Sequence, residues 1–136
     1  AALNCVHDAV GVRIVCSFLE DVYRMANRMQ AQENWSVVCV KDYIRKPKRN
    51  GYRSYHLIIQ LDAPYDGGRG LVYGEVQLRT LDMDTWASLE HEMKYKRTLP
   101  NQAMIVDELR RCADEIASTD LSLQTLRDLM NGSLER

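Results

Sequence analysis

The hydrophobic periodicity of this chain changes at Thr80, and that change splits its 136 residues into a strand-rich first part and a helical second part. Ahead of Thr80, short runs rich in β-branched and aromatic residues recur at Val10 to Phe18 (VGVRIVCSF), Trp35 to Tyr43 (WSVVCVKDY), Tyr52 to Leu61 and Gly70 to Arg79. Runs of this composition, punctuated by Gly, Asn and Pro, read as strands. One helix interrupts them. Leu19, Val22, Tyr23, Ala26 and Met29 fall at helical spacing, and Ser17 with Glu20 matches a capping box, which predicts a helix over about residues 19–32. Beyond Thr80, Met83, Trp86, Leu89 and Met93 share one side of a helix. A second helix follows the Pro100-Asn101 break with Ile105, Leu109, Cys112 and Ile116, and Leu121, Leu123, Leu126 and Met130 continue it. Strands joined by short connections pair mainly antiparallel. The order strand, helix, three strands, helices therefore predicts an α+β domain: a mixed, largely antiparallel sheet of about four to five strands, with helices packed on one face.

A hydrophobic fraction of 46% beside 27% charged residues is that of a water-soluble globular domain, and the length supports one core. No apolar run reaches the roughly 18 to 20 residues of a membrane span, and no basic stretch leads into an apolar leader, so a cytoplasmic protein is expected. Cys5, Cys16, Cys39 and Cys112 are widely spaced and form no C-x-x-C pair, which argues against structural zinc and disulfides. The chain opens without methionine and reaches its first strand almost at once, as a fragment would.

Charge is concentrated between Lys41 and Arg53 (KDYIRKPKRNGYR), where Lys41, Arg45, Lys46, Lys48, Arg49 and Arg53 face one acid, Asp42, in a chain whose formal charge is −1. A charge run of this kind can be a solvated loop, a nucleic-acid patch or an anion site. Pro47 and Asn50-Gly51 mark defined turns, which favours charges held in place beside the tyrosines. No glycine-rich phosphate cradle occurs, so any phosphate would be met by Lys and Arg side chains.

In the last strand Glu75, Gln77 and Arg79 alternate with Val76 and Leu78, so one face carries all three polar groups. That row is either a solvated sheet face or a ligand-facing row whose carboxylate holds a metal or takes a proton. Asp8, just ahead of the first strand, is either a turn residue or a second carboxylate; magnesium bound with phosphates commonly uses one or two. Arg13 is the one charge in an apolar run and needs a partner or a ligand. His56 shares a strand face with Ser54 and Ile58, and a lone histidine of this kind is more often a satisfied structural residue than a catalytic one. His7-Asp8 spells the dipeptide of metal phosphohydrolases, but His56 and His91 are the other histidines of the chain, too few for that chemistry.

Four ordered segments carry a family resemblance: DAVGVR at Asp8 to Arg13, the run from Lys41 to His56, EVQLRT at Glu75 to Thr80, and WASLEH with the following Tyr-Lys at Trp86 to Lys96. Together they resemble the synthetase domain of the RelA/SpoT family, over about two-thirds of the chain, and the form is similar to a small single-domain alarmone synthetase. The resemblance implies a nucleotidyltransferase-like fold and transfer of pyrophosphate from ATP to the 3′-hydroxyl of GDP or GTP, giving ppGpp or pppGpp, with Mg²⁺. By the same resemblance Asp8 and Glu75 are metal-binding and catalytic, and Arg13 packs on the adenine of ATP. Tyr52 stacks on guanine, while Lys41, Lys48, Asn50, His56, Gln77 and Arg79 line the acceptor nucleotide. It further implies a catalytic domain over residues 1–100, a helical extension over 101–136, and a homo-oligomer, a tetramer among the possibilities, built through terminal helices. Family members hold ATP partly through a helix and a basic R-x-K segment upstream of Asp8; with seven residues there, this chain is expected to lack that part. The alternative is a catalytically silent module that binds guanine nucleotide or RNA.

Overall fold

The computed structural model describes residues 10–65, 67–95 and 100–132. In chain order the elements are β1 (Val10–Cys16), α1 (Leu19–Gln30), β2 (Ser36–Asp42), β3 (Tyr55–Tyr65), β4 (Gly68–Thr80), α2 (Leu81–Tyr95) and α3 (Gln102–Met130). The four strands form one sheet in the order β1-β4-β3-β2, antiparallel except for the parallel β1–β4 pair. The expected α+β class and mixed sheet are found. The strand expected from Tyr52 starts at Tyr55, so Tyr52 stands in the loop before it.

One face of the sheet is the core. Val22 and Ala26 of α1 are fully buried against Tyr55, Leu57, Ile59, Val76 and Leu78. Strand alternation turns the intervening residues, among them His56, Ile58, Glu75 and Gln77, to the opposite face. α1 covers the apolar face, while α2 runs straight on from β4, packs against α3 and lies beside Arg13 and Arg79 of the polar face, so the helices are not all on the one face expected. The apolar run of β1 has the composition of a buried strand, yet among the described residues β1 pairs only with β4, and Val12 and Val15 are exposed.

In β2 a bulge shifts the register between Val37 and Cys39. Val37 pairs with Ile59 of the core face, whereas Cys39 and Lys41 pair with Ile58 and His56 of the polar face. A one-residue insertion exchanges the faces of everything beyond it. The bulge is thus what sends Lys41 to the polar side and Asp42 to the core side, where Tyr23 of α1 donates to its carboxylate at 2.9 Å.

α3 is tied to both ends of the fold. Near its C-terminus, Arg127 makes a two-pronged ion pair with Asp21 at 2.7 and 2.8 Å, which holds the Asp21 carboxyl below its ordinary pKa. The predicted Ser17 cap of α1 is not used. Phe18 is the N-cap residue and makes no side-chain cap; instead the Glu20 N–H donates to the Gln124 side chain of α3 at 2.9 Å. An orphan helix N–H takes whichever acceptor tertiary packing delivers. In the middle of α3, buried Asp120 accepts from Thr80 Oγ1 at 2.7 Å, and that same oxygen accepts the Met83 N–H that opens α2. Further along, Ala113 meets the basic loop at Gly51.

Gly51 has φ +100°, and a Cβ there would lie 2.8 Å from the Ala113 Cβ and 3.3 Å from the Arg110 Cα. Strained backbone and a steric overlap with helix atoms act together. Gly51→Ala should cost about 2 kcal/mol or more in urea unfolding, and more than Gly67→Ala, which shares a positive φ (+96°) but has nothing within 4 Å of the added Cβ. A Gly51→Ala variant as stable as the parent would mean that the loop does not press on α3.

Candidate functional site

The parallel β1–β4 and antiparallel β4–β3–β2 registers line up polar residues in rows across the sheet. One row runs Arg13, Gln77, His56, Lys41; the next runs Gly11, Glu75, Ile58, Cys39. Arg79 stands one step further along β4. Glu75, Gln77 and Arg79 are therefore on one face as predicted, and they are bonded in series: Gln77 Nε2 donates to Glu75 Oε1 at 2.7 Å, and Arg79 Nη2 donates to Gln77 Oε1 at 2.9 Å.

Arg79 is the centre of this network. Only 6% exposed, it also donates to Ser54 Oγ at 3.3 Å, to the Tyr52 hydroxyl at 2.8 Å and to Asp84 Oδ1 at 3.0 Å. A guanidinium out of water is tolerated when its N–H groups meet acceptors, and four of the five do. Arg79 can only donate, so the Tyr52 hydroxyl accepts from it, and a hydrogen bond of 3.0 Å joins the same hydroxyl to His56 Nε2. The imidazole stays neutral: burial pulls its pKa down to about 4, Arg79, Lys48 and Lys41 pull the same way, and Glu75 opposes them.

The basic loop is built, as its turn residues predicted. Asp42 Oδ1 accepts from the Ile44 and Arg45 N–H groups, Gly51 N donates to the Lys48 carbonyl, and Lys48 N to that of Tyr52. Asn50 Oδ1 accepts the Tyr52 N–H at 3.0 Å, so this carboxamide oxygen fixes the turn that presents Tyr52. Lys48 Nζ lies 4.8 Å from the Tyr43 ring centre and 5.2 Å from that of Tyr52. Arg45, Lys46 and Arg49 point to solvent. Arg53 turns the other way, to Asp114 of α3 at 3.0 Å.

An open cleft of about 370 Å³ lies beside the network, bounded by Arg13, Tyr52 and Arg79 and walled by Ala87, Ser88, Glu90 and His91 of α2. Arg13, the unexplained arginine of the first strand, reaches Asp84 at 3.0 Å. Asp84 is the residue that sequence reasoning missed: an acid in the first turn of a helix is commonplace, and nothing in its spacing shows that it meets two arginines. Ser54 and Tyr43 were missed for the same reason. Asp8 lies outside the described residues; Gly11, three positions on, pairs with Glu75. Among the described residues no three His, Cys, Asp or Glu side chains gather as a metal cluster, and Cys16, Cys39 and Cys112 are free thiols.

A sheet face carrying Lys41, Arg13, Arg79 and a carboxylate, with half-buried Tyr52 beside it, can meet anionic groups next to an aromatic ring. A family described as "Region found in RelA / SpoT proteins" matches residues 1–99, and the chain belongs to it. It is 45% identical over 109 residues to GTP pyrophosphokinase YwaC of Bacillus subtilis, which spans 80% of this chain and 52% of that protein. Identity to GTP pyrophosphokinase YjbM of the same organism is 32% over 127 residues, 92% of this chain and 59% of that one. The chain thus spans about half the length of these curated relatives. Small alarmone synthetase 2 of B. subtilis superimposes with a TM-score of 0.83 at 40% identity, over 91% of this chain and 70% of that one. Small alarmone synthetase 1 bound to its product pppGpp does so with 0.81 at 31% identity, over 89% and 62%. Among the described residues no helix is long and apolar enough to cross a membrane.

Two buried groups give opposite pH slopes. His56 has its pKa lowered on folding, so its contribution is whole above about 6.5 and is lost as pH falls toward about 4. Asp120 is pushed up to about 6, by burial first and then by Asp82, so its contribution is whole below 3.8 and is lost as pH rises toward 6. Between pH 4 and 6 they offset one another. In urea titrations His56→Gln should become less stable as pH rises from 4 to 6, and Asp120→Asn more stable. Parallel curves for the two variants would contradict at least one of the two assignments.

Proposed function

We propose that this chain moves the pyrophosphoryl group of ATP to the 3′-hydroxyl of GDP or GTP, forming ppGpp or pppGpp and leaving AMP. The observation that carries this reading is the Arg79–Tyr52–His56 network facing the cleft, in a chain whose relatives are GTP pyrophosphokinases. Tyr52, fixed at its hydroxyl and flanked by Lys48, presents its ring to guanine. Lys41, Lys48, Arg79, Gln77 and His56 line the acceptor and its phosphates, with Asn50 holding the turn. Arg13, at the far side of the cleft, serves the adenine of ATP.

The donor set suits magnesium: a half-buried carboxylate, Glu75, with Asp8 three residues ahead of its strand neighbour Gly11. Glu75 and Asp8 would hold the ion, which supplies charge neutralisation on the donor phosphates. Glu75 would also take or orient the proton of the attacking hydroxyl. Neutral His56 adds a hydrogen-bonding group without a further positive charge. Positioning and charge neutralisation are the main demands of this class of reaction.

Other features support the rest of the reading. Residues 1–100 form the catalytic unit and 101–136 a helical extension; exposed Leu121, Leu126 and Met130 on α3 suit a homo-oligomer, a tetramer included. ATP and GTP are plentiful in the cytoplasm, which suits a cytoplasmic enzyme.

Incubation with ATP, GDP and Mg²⁺ should yield ppGpp, and chelation of the metal should stop it. Glu75→Gln should lower the rate by about 100-fold or more. Tyr52→Ala should weaken GDP binding by about 1 to 3 kcal/mol in calorimetric titration. Absence of product would leave the silent nucleotide- or RNA-binding module, and unchanged GDP affinity would remove Tyr52 from the acceptor site.

A further inference from the structure

We infer that Asp84 is a positioning residue for the donor nucleotide: its carboxylate holds Arg13 in place at the cleft, braced by an Arg79 that other contacts already fix. The inference rests on the transferase reading for the identity of the donor.

The geometry is a shared acceptor. Asp84 Oδ1 lies 3.0 Å from Arg13 Nη1 and 3.0 Å from Arg79 Nη1. β1 and β4 run parallel with Arg13 opposite Gln77, which sets Arg13 diagonally beside Arg79 on the same face. α2 begins directly after Thr80, so its first turn brings Asp84 over both guanidinium groups. One carboxylate, its side chain 27% exposed, therefore joins the edge strand, the central strand and the helix that walls the cleft.

The two arginines are held unequally. The Arg79 side chain is 7% exposed and keeps Ser54, Tyr52 and Gln77 whether or not Asp84 is present. The Arg13 side chain is 53% exposed, stands on an edge strand, and among the described residues its one hydrogen bond is to Asp84. Without that carboxylate, Arg13 would face a fixed like charge across the gap Asp84 now fills, and the mobile partner would swing to solvent. A long side chain free in solution must lose its rotamer freedom when a ligand binds; Asp84 removes that freedom beforehand. Its effect should thus fall on the nucleotide that Arg13 meets and spare the one that Arg79 and Tyr52 meet.

A helix-terminal acid that merely stabilised α2 would weaken both nucleotides together or neither, which separates the two roles. With the full chain and Mg²⁺, calorimetric titration of each nucleotide and steady-state synthesis assays supply the readouts. Asp84→Ala should raise the ATP Kd and KM by about tenfold while shifting the GDP values by less than about threefold. Asp84→Asn should fall between, because its amide oxygen still accepts while its charge is gone. In an Arg13→Ala background the Asp84→Ala change should add nothing to the loss of ATP affinity. Unaltered ATP affinity in Asp84→Ala, equal weakening of GDP, additive losses in the double variant, or a parent chain that binds no ATP would each overturn the assignment. A chain that shows these ATP shifts but makes no ppGpp would sink the transferase reading and leave the positioning role standing.

Discussion

A buried guanidinium organises this structure. Arg79 sits almost wholly out of water, and its cost is met by aiming four N–H groups at Ser54, Tyr52, Gln77 and Asp84. Those acceptors come from four places: the approach to β3, the end of the basic loop, β4 itself and the first turn of α2. Strand, loop and helix must all be in place before the charge is satisfied. The same bonds fix the groups that line the cleft, because the Tyr52 hydroxyl is also bonded to His56 and Gln77 restrains Glu75. Stability and site geometry are set by one set of contacts.

The basic loop depends on that centre and on α3. Its own hydrogen bonds, from Asp42 at the start to Asn50 at the end, define the turns, but Gly51 seats it on Ala113 and Arg53 anchors it to Asp114. α3 reaches the rest of the fold through Asp120 on Thr80 and Arg127 on Asp21. α3 therefore backs the loop on both sides of Tyr52, at Gly51 and at Arg53. Between α2 and α3, Leu89 and Met93 face a groove with Leu109, Cys112 and Ile116, so the predicted apolar stripes exist but are only half covered.

Much of this was legible in the residues. Period-two and helical spacing marked every element to within a few positions, since burial on one side of a strand or helix leaves that imprint directly. The alternation of Glu75, Gln77 and Arg79 placed them on one face, and Asn50-Gly51 announced a turn. The errors have physical reasons. Ser17 had the chemistry of a cap, but Gln124, more than a hundred residues on, supplied the acceptor. β1 read as buried because apolar composition does not reveal that a strand lies at an edge. The bulge at Val38 leaves no trace in a run of valines, yet it decides which way Lys41 points.

The sequence by itself determined the element order, the α+β class, the polar row of β4, the turns of the basic loop and, through its four motifs, the RelA/SpoT family. These follow from local patterns: spacing along one element, backbone preferences at Gly, Asn and Pro, and short ordered segments. What only the tertiary structure decided are the meetings between elements. The parallel β1–β4 register set Arg13 beside Arg79, and the direct passage from β4 into α2 placed Asp84 on both. The bulge turned Lys41 toward His56, and burial made that histidine neutral. Each depends on how distant segments pack, where a shift of one residue in register exchanges every face, and no periodicity within one segment records it.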